Sequence, residues 1–230
     1  MGKVRCVIYF FGDIHGDFKW WEKVRNKCDQ SILLGDCGIG FPSEYIERVT
    51  GAPYDRHKIY IPVTDCPVTN CPPFDLNHKF IYGNHDDPDL AIQHPNCLGR
   101  YGYLEESDIF FISGGYSIDW LDRTAHIDWW PNEQMDVQSL NEMTKLFIKT
   151  KPRIVVSHEC PDVAIHALFG WSPKTINTRQ KHALNDCWKM HKPEHWIFGH
   201  FHHTKAKVVE GTKFRCVGIN QRIELPDVHW

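Results

Sequence analysis

Lys3-Val4-Arg5-Cys6-Val7-Ile8-Tyr9-Phe10-Phe11-Gly12-Asp13-Ile14-His15-Gly16-Asp17 is the stretch on which the fold turns. Lys3 to Phe11 is a continuous β-branched and aromatic run, and such a run without polar alternation reads as a strand buried on both faces. It breaks at Gly12 into a turn carrying a carboxylate, Asp13, and an imidazole, His15. Asp17 then stands where it can cap a helix running to about Cys28, with Phe18, Trp21 and Val24 at helical spacing.

The same event recurs along the chain. Ser31–Leu34 ends in Gly35-Asp36-Cys37-Gly38, and His78–Tyr82 ends in Gly83-Asn84-His85-Asp86. Arg153–Val156 ends in Ser157-His158, and His195–Phe198 ends in Gly199-His200-Phe201-His202. Ile109–Ile112 is a further strand, closing on Gly114-Gly115. Between them, Asp136–Thr150 carries a capping Asp and apolar residues at Val137, Leu140, Met143, Leu146 and Phe147, which predicts a helix. Ser43–Val49 and Lys174–Met190 also read as helices, Lys58–Val63 as a strand and Pro62–Asn77 as a loop. Ala206–Val209 and Lys213–Val217 flank Glu210-Gly211-Thr212 as a hairpin. Strands alternating with helices, without repeats or linkers, indicate one α/β domain over residues 1–230.

Composition narrows the function classes. With 42% hydrophobic and 24% charged residues the chain can bury a core, and no apolar run approaches the roughly 18 residues of a membrane span. The N-terminus lacks the regions of a signal peptide. Nine scattered cysteines, an odd number, fit reduced thiols in a cytoplasm. Cys66 and Cys71 have no second pair at zinc-finger spacing and read as loop cysteines. A net charge of −3 argues against coating nucleic acid by bulk electrostatics. From Trp171 to Cys216, however, nine basic residues face three acids, a local +6 that leaves −9 elsewhere. That segment is either a solvated surface or an attraction for anionic substrates.

Fifteen histidines raise the question of metal, and the strand-end turns answer it. Ligands of open α/β sheets bind beyond the carboxyl ends of strands. Asp13, His15, Asp36, Asn84, His158, His200 and His202 all fall there. Carboxylate and amide oxygens with neutral imidazoles suit Mn²⁺, Fe²⁺, Zn²⁺ or Ni²⁺ better than Ca²⁺. Seven donors exceed one four-coordinate ion and fit two ions about 3.5–4 Å apart, an arrangement used for phosphoryl chemistry.

These blocks, in this order and spanning Gly12 to His202, resemble the motifs of the calcineurin-like metallophosphoesterases. The resemblance implies a four-layer α-β-β-α sandwich of two mixed sheets flanked by helices, with a dinuclear site at one edge. It implies that Asp13, His15 and His202 hold one divalent transition-metal ion, most readily Mn²⁺. Asn84, His158 and His200 would hold the other, and Asp36 would bridge them. It further implies hydrolysis of a phosphoester by hydroxide shared between the ions. Asn84 and His85 would contact substrate, and His85 would protonate the leaving group. His126, His166, His182 and His203 fall on no motif.

The sequence departs from the family's protein Ser/Thr phosphatases. Those carry an Asp and an Arg after the second block and an Arg before the third; here Cys37-Gly38-Ile39-Gly40 follows Asp36 and Tyr82 precedes Gly83. The orienting partner of His85 is therefore open, with Asp86 and Asp87 as candidates. Without the bidentate Arg that grips a phosphomonoester, a phosphodiester or nucleotide-type substrate is favoured over a phosphoprotein. Protein phosphatase remains an alternative, and a non-catalytic interaction module with the same fold a second. Ser117-Ile118-Asp119 through Arg123 to Trp129-Trp130-Pro131 resembles small bacterial and phage-encoded members, a resemblance that implies a bacterial or phage-infected cytoplasm. Arg123 is the candidate replacement phosphate contact. Trp129 and Trp130 either stack on a base or, the preferred reading, pack a long loop onto the core.

Overall fold

The computed structural model describes residues 7–40, 77–172, 177–226 and 228. Strand β1 (Val7–Phe11), helix α1 (Phe18–Arg25), β2 (Gln30–Leu34) and β3 (His78–Ile81) come first. A single helical turn α2 (Pro88–Ala91), β4 (Tyr101–Leu104), β5 (Ile109–Ile112) and α3 (Val137–Thr150) follow. The chain continues through β6 (Ile154–Ser157), α4 (Asp162–Phe169), α5 (Arg179–Met190), β7 (His195–Phe198), β8 (Lys205–Val209), β9 (Thr212–Cys216) and β10 (Arg222–Pro226). The expected helix Ser43–Val49, strand Lys58–Val63, loop Pro62–Asn77 with Cys66 and Cys71, and residue Lys174 lie outside the described residues, Asn77 excepted.

The strands form two mixed sheets. One has the order β10-β1-β2-β3, the other β4-β5-β6-β7-β9-β8. β1, β2 and β3 are parallel, as are β5, β6, β7 and β9, while β10, β4 and β8 run antiparallel at the edges. Alternate residues of each central strand serve different layers. Ile8, Phe10, Ile32, Leu34 and Ile81 meet Ile109, Phe111, Ile154, Val156 and Ile197 between the sheets. Phe11, Leu33, Phe80 and Tyr82 point outward to Trp21 and Ala91 under α1 and α2. Phe110, Ile112, Val155, Trp196 and Phe198 point the other way, to Leu140, Met143 and Phe147 of α3 and Leu184 and Cys187 of α5. This four-layer arrangement explains why the strands lack polar alternation: both faces are covered, each enclosed Ile or Phe contributing roughly 1.5–3 kcal/mol.

Several boundaries differ from the sequence expectation. α1 stops at Arg25 rather than near Cys28, because Lys27 and Cys28 donate their N–H groups only three residues back, to Val24 and Arg25. α5 starts at Arg179, since extended Thr178 caps it by accepting from Lys181 N at 3.2 Å. The unexpected α4 has its own signals, Pro161 at the start and left-handed Gly170 at the end. The unexpected strands β4 and β10 are edge strands; β4 is half-buried along its length and contains Gly102, against which the Phe111 ring lies. Asp136 caps α3 as expected, accepting from Ser139 N at 2.8 Å.

Candidate metal centre

The parallel strands deliver their carboxyl ends to one edge of the sandwich. β1 leads into Asp13 and His15, β2 into Asp36, β3 into Asn84 and His85, β6 into His158, and β7 into His200 and His202. The turns are tight enough to strain the chain: His15, Asp36, His200 and His202 have positive φ of 43°, 49°, 66° and 57°. Non-glycine residues rarely sit there, and such conformations gather at functional sites. Glycine is required beside them, because a Cβ on Gly83 would collide with Asp36 Oδ1 and one on Gly199 with Asp13 Oδ1.

All seven expected donors converge. Asp13, His15, Asp36 and His202 form one group able to hold an ion; Asp36, His158 and His200 form a second, and Asp36 belongs to both. Asn84 joins the second group, its Oδ1 lying 3.0 Å from His158 Nε2 and 2.9 Å from His200 Nδ1.

The hydrogen bonding shows that these residues fit a cation. Leu34 O lies 2.8 Å from His158 Nδ1, and a carbonyl only accepts, so the proton of a neutral ring sits on Nδ1. The Nε2 lone pair then faces Asn84 Oδ1, Asp36 Oδ1 at 3.1 Å and His200 Nδ1 at 3.2 Å. Across the centre, His15 Nε2 faces His202 Nε2 at 3.0 Å, and Asp13 Oδ2 is buried without a hydrogen-bond partner. Carboxylate, amide and imidazole groups gathered this closely, most of them buried, fit a cation among them.

Burial would lower His158, but the Asp36 carboxylate overrides it and drives the ring up to about 10. Burial lowers His200 to about 3 and His15 to about 4, and it lowers His202. Burial and the neighbouring Asp36 raise Asp13 to about 8, whereas His158 and His85 hold Asp36 well below the ordinary range despite its burial. His15, His200 and His202 are thereby held neutral around the ionised Asp36, the form that binds divalent ions, while His158 and Asp13 would each give up a proton to an ion.

Two candidates for orienting His85 prove otherwise engaged. Asp86 accepts from the backbone N–H groups of Cys37, Gly38, Ile39 and Gly83 at 2.8–3.1 Å, stapling the turn after β2 to the turn after β3. Asp87 caps α2. His85 instead meets Arg123, whose Nη2 lies 3.0 Å from His85 Nε2 and 2.9 Å from Asp119 Oδ2, while Nη1 donates to Asp128 O. A guanidinium only donates, so His85 Nε2 accepts. The His85 backbone N–H donates to Asp36 Oδ1 at 2.8 Å, and burial keeps the ring well below its usual pKa.

Sequence reasoning passed over Glu133. Ser117 Oγ donates to Glu133 Oε2 at 2.6 Å, Ser117 N to Glu133 Oε1 at 2.9 Å, and Asn84 Nδ2 to Ser117 Oγ at 3.0 Å. No motif marks this glutamate; it is reached only through the loop after β5.

A cleft of about 530 Å³ opens on the cluster, lined also by Arg123, Phe201, Trp171, Lys181 and Glu159. Trp171 is half-exposed and stacks on Phe169 at 4.7 Å, with Phe201 at 6.0 Å. Trp130 is buried in the core and Trp129 leans on Trp120 at 5.3 Å, so the packing reading of that pair holds for Trp130 and neither lines the cleft. The basic segment is largely structural. Lys205 and Lys207 donate to the carbonyls of Leu168 and Ala167, Arg179 donates to those of Gln134 and Met135, and Lys192 covers the Trp188 ring and pairs with Glu210. Of its described cations, Lys181 alone lines the cleft.

The sequence profile described as calcineurin-like phosphoesterase matches residues 6–204. One solved structure aligns 97% of this chain with 95% of its own at 14% identity and a TM-score of 0.51. GAP50, described as the anchor in the inner membrane complex of Plasmodium, aligns with 95% of this chain and 73% of its own, at 11% identity and a TM-score of 0.52. The phosphopantetheinyl hydrolase of Mycobacterium tuberculosis aligns with 95% of this chain and 92% of its own, at 11% identity and a TM-score of 0.46. No curated protein matches the sequence. No described helix is long and apolar enough to cross a membrane.

Proposed function

The chain belongs to the calcineurin-like phosphoesterases, a family of metal-dependent phosphoric ester hydrolases, and from that premise we propose that it hydrolyses a phosphodiester or phosphate ester of a nucleotide or nucleic acid. The observation that carries the reading is the pair of donor groups sharing Asp36. Asp13, His15 and His202 would hold one divalent ion, Asn84, His158 and His200 the other, with Asp36 between, and Mn²⁺ is the first ion to try. Bound there, the ions would supply Lewis acidity toward the phosphoryl oxygens and a water acidic enough to attack near neutral pH.

The chain's own groups supply orientation and proton handling. Asp36 fixes the His85 backbone and so the approach of its ring to the cleft. Arg123, its side chain only 7% exposed and aligned by Asp119 and Asp128, presents a guanidinium where the phosphoryl group arrives. An anionic substrate that draws Nη2 from His85 frees Nε2 and favours protonation of the ring, readying it to protonate the leaving group. Phe201, flanked by His200 and His202, and Trp171 beyond it give a planar leaving group a stacking surface beside the centre. The intact donor set speaks against a non-catalytic module, and the residues after Asp36 against a phosphoprotein phosphatase.

Metal-stripped protein reconstituted with Mn²⁺ is to be assayed on p-nitrophenyl phosphate, its bis-ester, nucleotides and a phosphopeptide. Turnover of the diester or nucleotides above the phosphopeptide is expected. Phosphopeptide preference would overturn the substrate class, and inactivity on all of them would overturn the enzymatic reading.

A further inference from the structure

We propose that Glu133 and Ser117 form a hydrogen-bond relay that sets which end of the Asn84 amide faces the metal centre. The inference rests on the reading of Asn84 Oδ1 as a metal donor. The two ends of an asparagine amide are nearly equal in shape and opposite in chemistry: the oxygen binds a cation, the NH₂ repels one. Something must choose between them, and the choice is made two residues away.

The logic runs through one proton. Glu133 is acceptor-only when ionised, and both its oxygens are taken by Ser117, Oε1 by the backbone N–H at 2.9 Å and Oε2 by the hydroxyl at 2.6 Å. The hydroxyl has a single proton, and it is committed to Glu133. Towards Asn84, 3.0 Å away, Ser117 Oγ is left only as an acceptor, so Asn84 must present Nδ2 to it. Oδ1 is thereby turned to His158 and His200. Glu133, Ser117 and Asn84 are 2%, 1% and 3% exposed, which keeps solvent from resetting the direction. Glu133 is a positioning residue, acting on the centre through two hydrogen bonds.

Glutamine at 133 tests this at constant volume. The Ser117 backbone N–H needs an acceptor and holds the glutamine oxygen where Oε1 stands, which forces the NH₂ onto Ser117 Oγ. The hydroxyl proton must then point at Asn84, whose amide turns over and offers NH₂ to the centre. The measurement is calorimetric titration of the metal-stripped protein with Mn²⁺, alongside thermal melts without metal. Glu133→Gln is expected to weaken one Mn²⁺ by roughly 10–100-fold, the range found when groups behind metal ligands are replaced. Ser117→Ala, which cuts the relay without reversing it, is expected to weaken it less, and the double variant to be no worse than Ser117→Ala. In an Asn84→Asp background, where both ends are oxygen, Glu133→Gln is expected to have no further effect. If Asn84→Ala loses one Mn²⁺ while Glu133→Gln binds both normally, the relay is overturned and the donor reading stands. If Asn84→Ala itself keeps both ions, the donor reading falls and the relay with it. A Glu133→Gln penalty of equal size in the Asn84→Asp background also overturns the relay, because the effect then runs through folding.

Discussion

The two halves of the centre are built differently. In the half of His158, Asn84 and His200, donors are aimed by hydrogen bonds on their far sides, His158 by Leu34 O and Asn84 by Ser117. In the half of Asp13, His15 and His202, only Asp13 is held in that way, its Oδ1 accepting from His200 N at 3.1 Å. The far-side atom of His15, Nδ1, is buried without a hydrogen-bond partner among the described residues, and the His202 side chain is 44% exposed. Preset donors lose little freedom on binding, so the His158 half is expected to be the tighter site and the His202 half the more exchangeable one.

The largest expected effect removes what the halves share. Asp36→Ala should cost both ions and, with them, at least about 10³-fold in turnover, several kcal/mol of transition-state stabilisation. Metal analysis showing one ion retained would mean the halves are not joined through Asp36. His85→Ala comes next, lowering kcat by about 10²–10⁴-fold with the metal content of both halves intact. Loss of metal in that variant would make His85 part of the centre's scaffold.

The comparison itself is sharpened by matched removals. His202→Ala and His200→Ala should each weaken a different ion, and a chelator should strip the His202 half first, at lower concentration by roughly tenfold. Stripping in the opposite order would reverse the assignment of tight and loose sites. The smallest effect is a pH slope. His158 is raised from its ordinary 6.5 to about 10 in the folded, metal-free protein. Its protonation therefore stabilises that form fully below about 6.5, and the stabilisation is lost as pH rises towards 10. Melting temperature should fall across that window without metal and flatten with Mn²⁺, whose binding requires the neutral ring. Parallel slopes with and without Mn²⁺ would separate His158 from the ion.

Much of this was legible beforehand because it is local. A doubly buried strand must be apolar throughout, and a chain leaving it must turn, so Phe11-Gly12-Asp13 and Phe198-Gly199-His200 announce both strand and donor. The edge strands β4 and β10 were not legible, since one-sided burial imposes no such run. Arg123 was visible as a loop cation, but its partner His85 stands 38 residues away in the chain, a relation no spacing encodes. The role of the basic segment stayed open for the reverse reason: charge was countable, while the carbonyls of Leu168 and Ala167 that occupy Lys205 and Lys207 were not.

By itself, then, the sequence determined the kind of donors and the order in which strands carry them, because residue type and strand–turn geometry are set within a few neighbours. Only the tertiary structure decided which donors face one another, that Asp86 is spent on four backbone N–H groups rather than on His85, and that Glu133 governs Asn84. Those outcomes depend on which single proton lies between two atoms from distant strands, and that is fixed by packing.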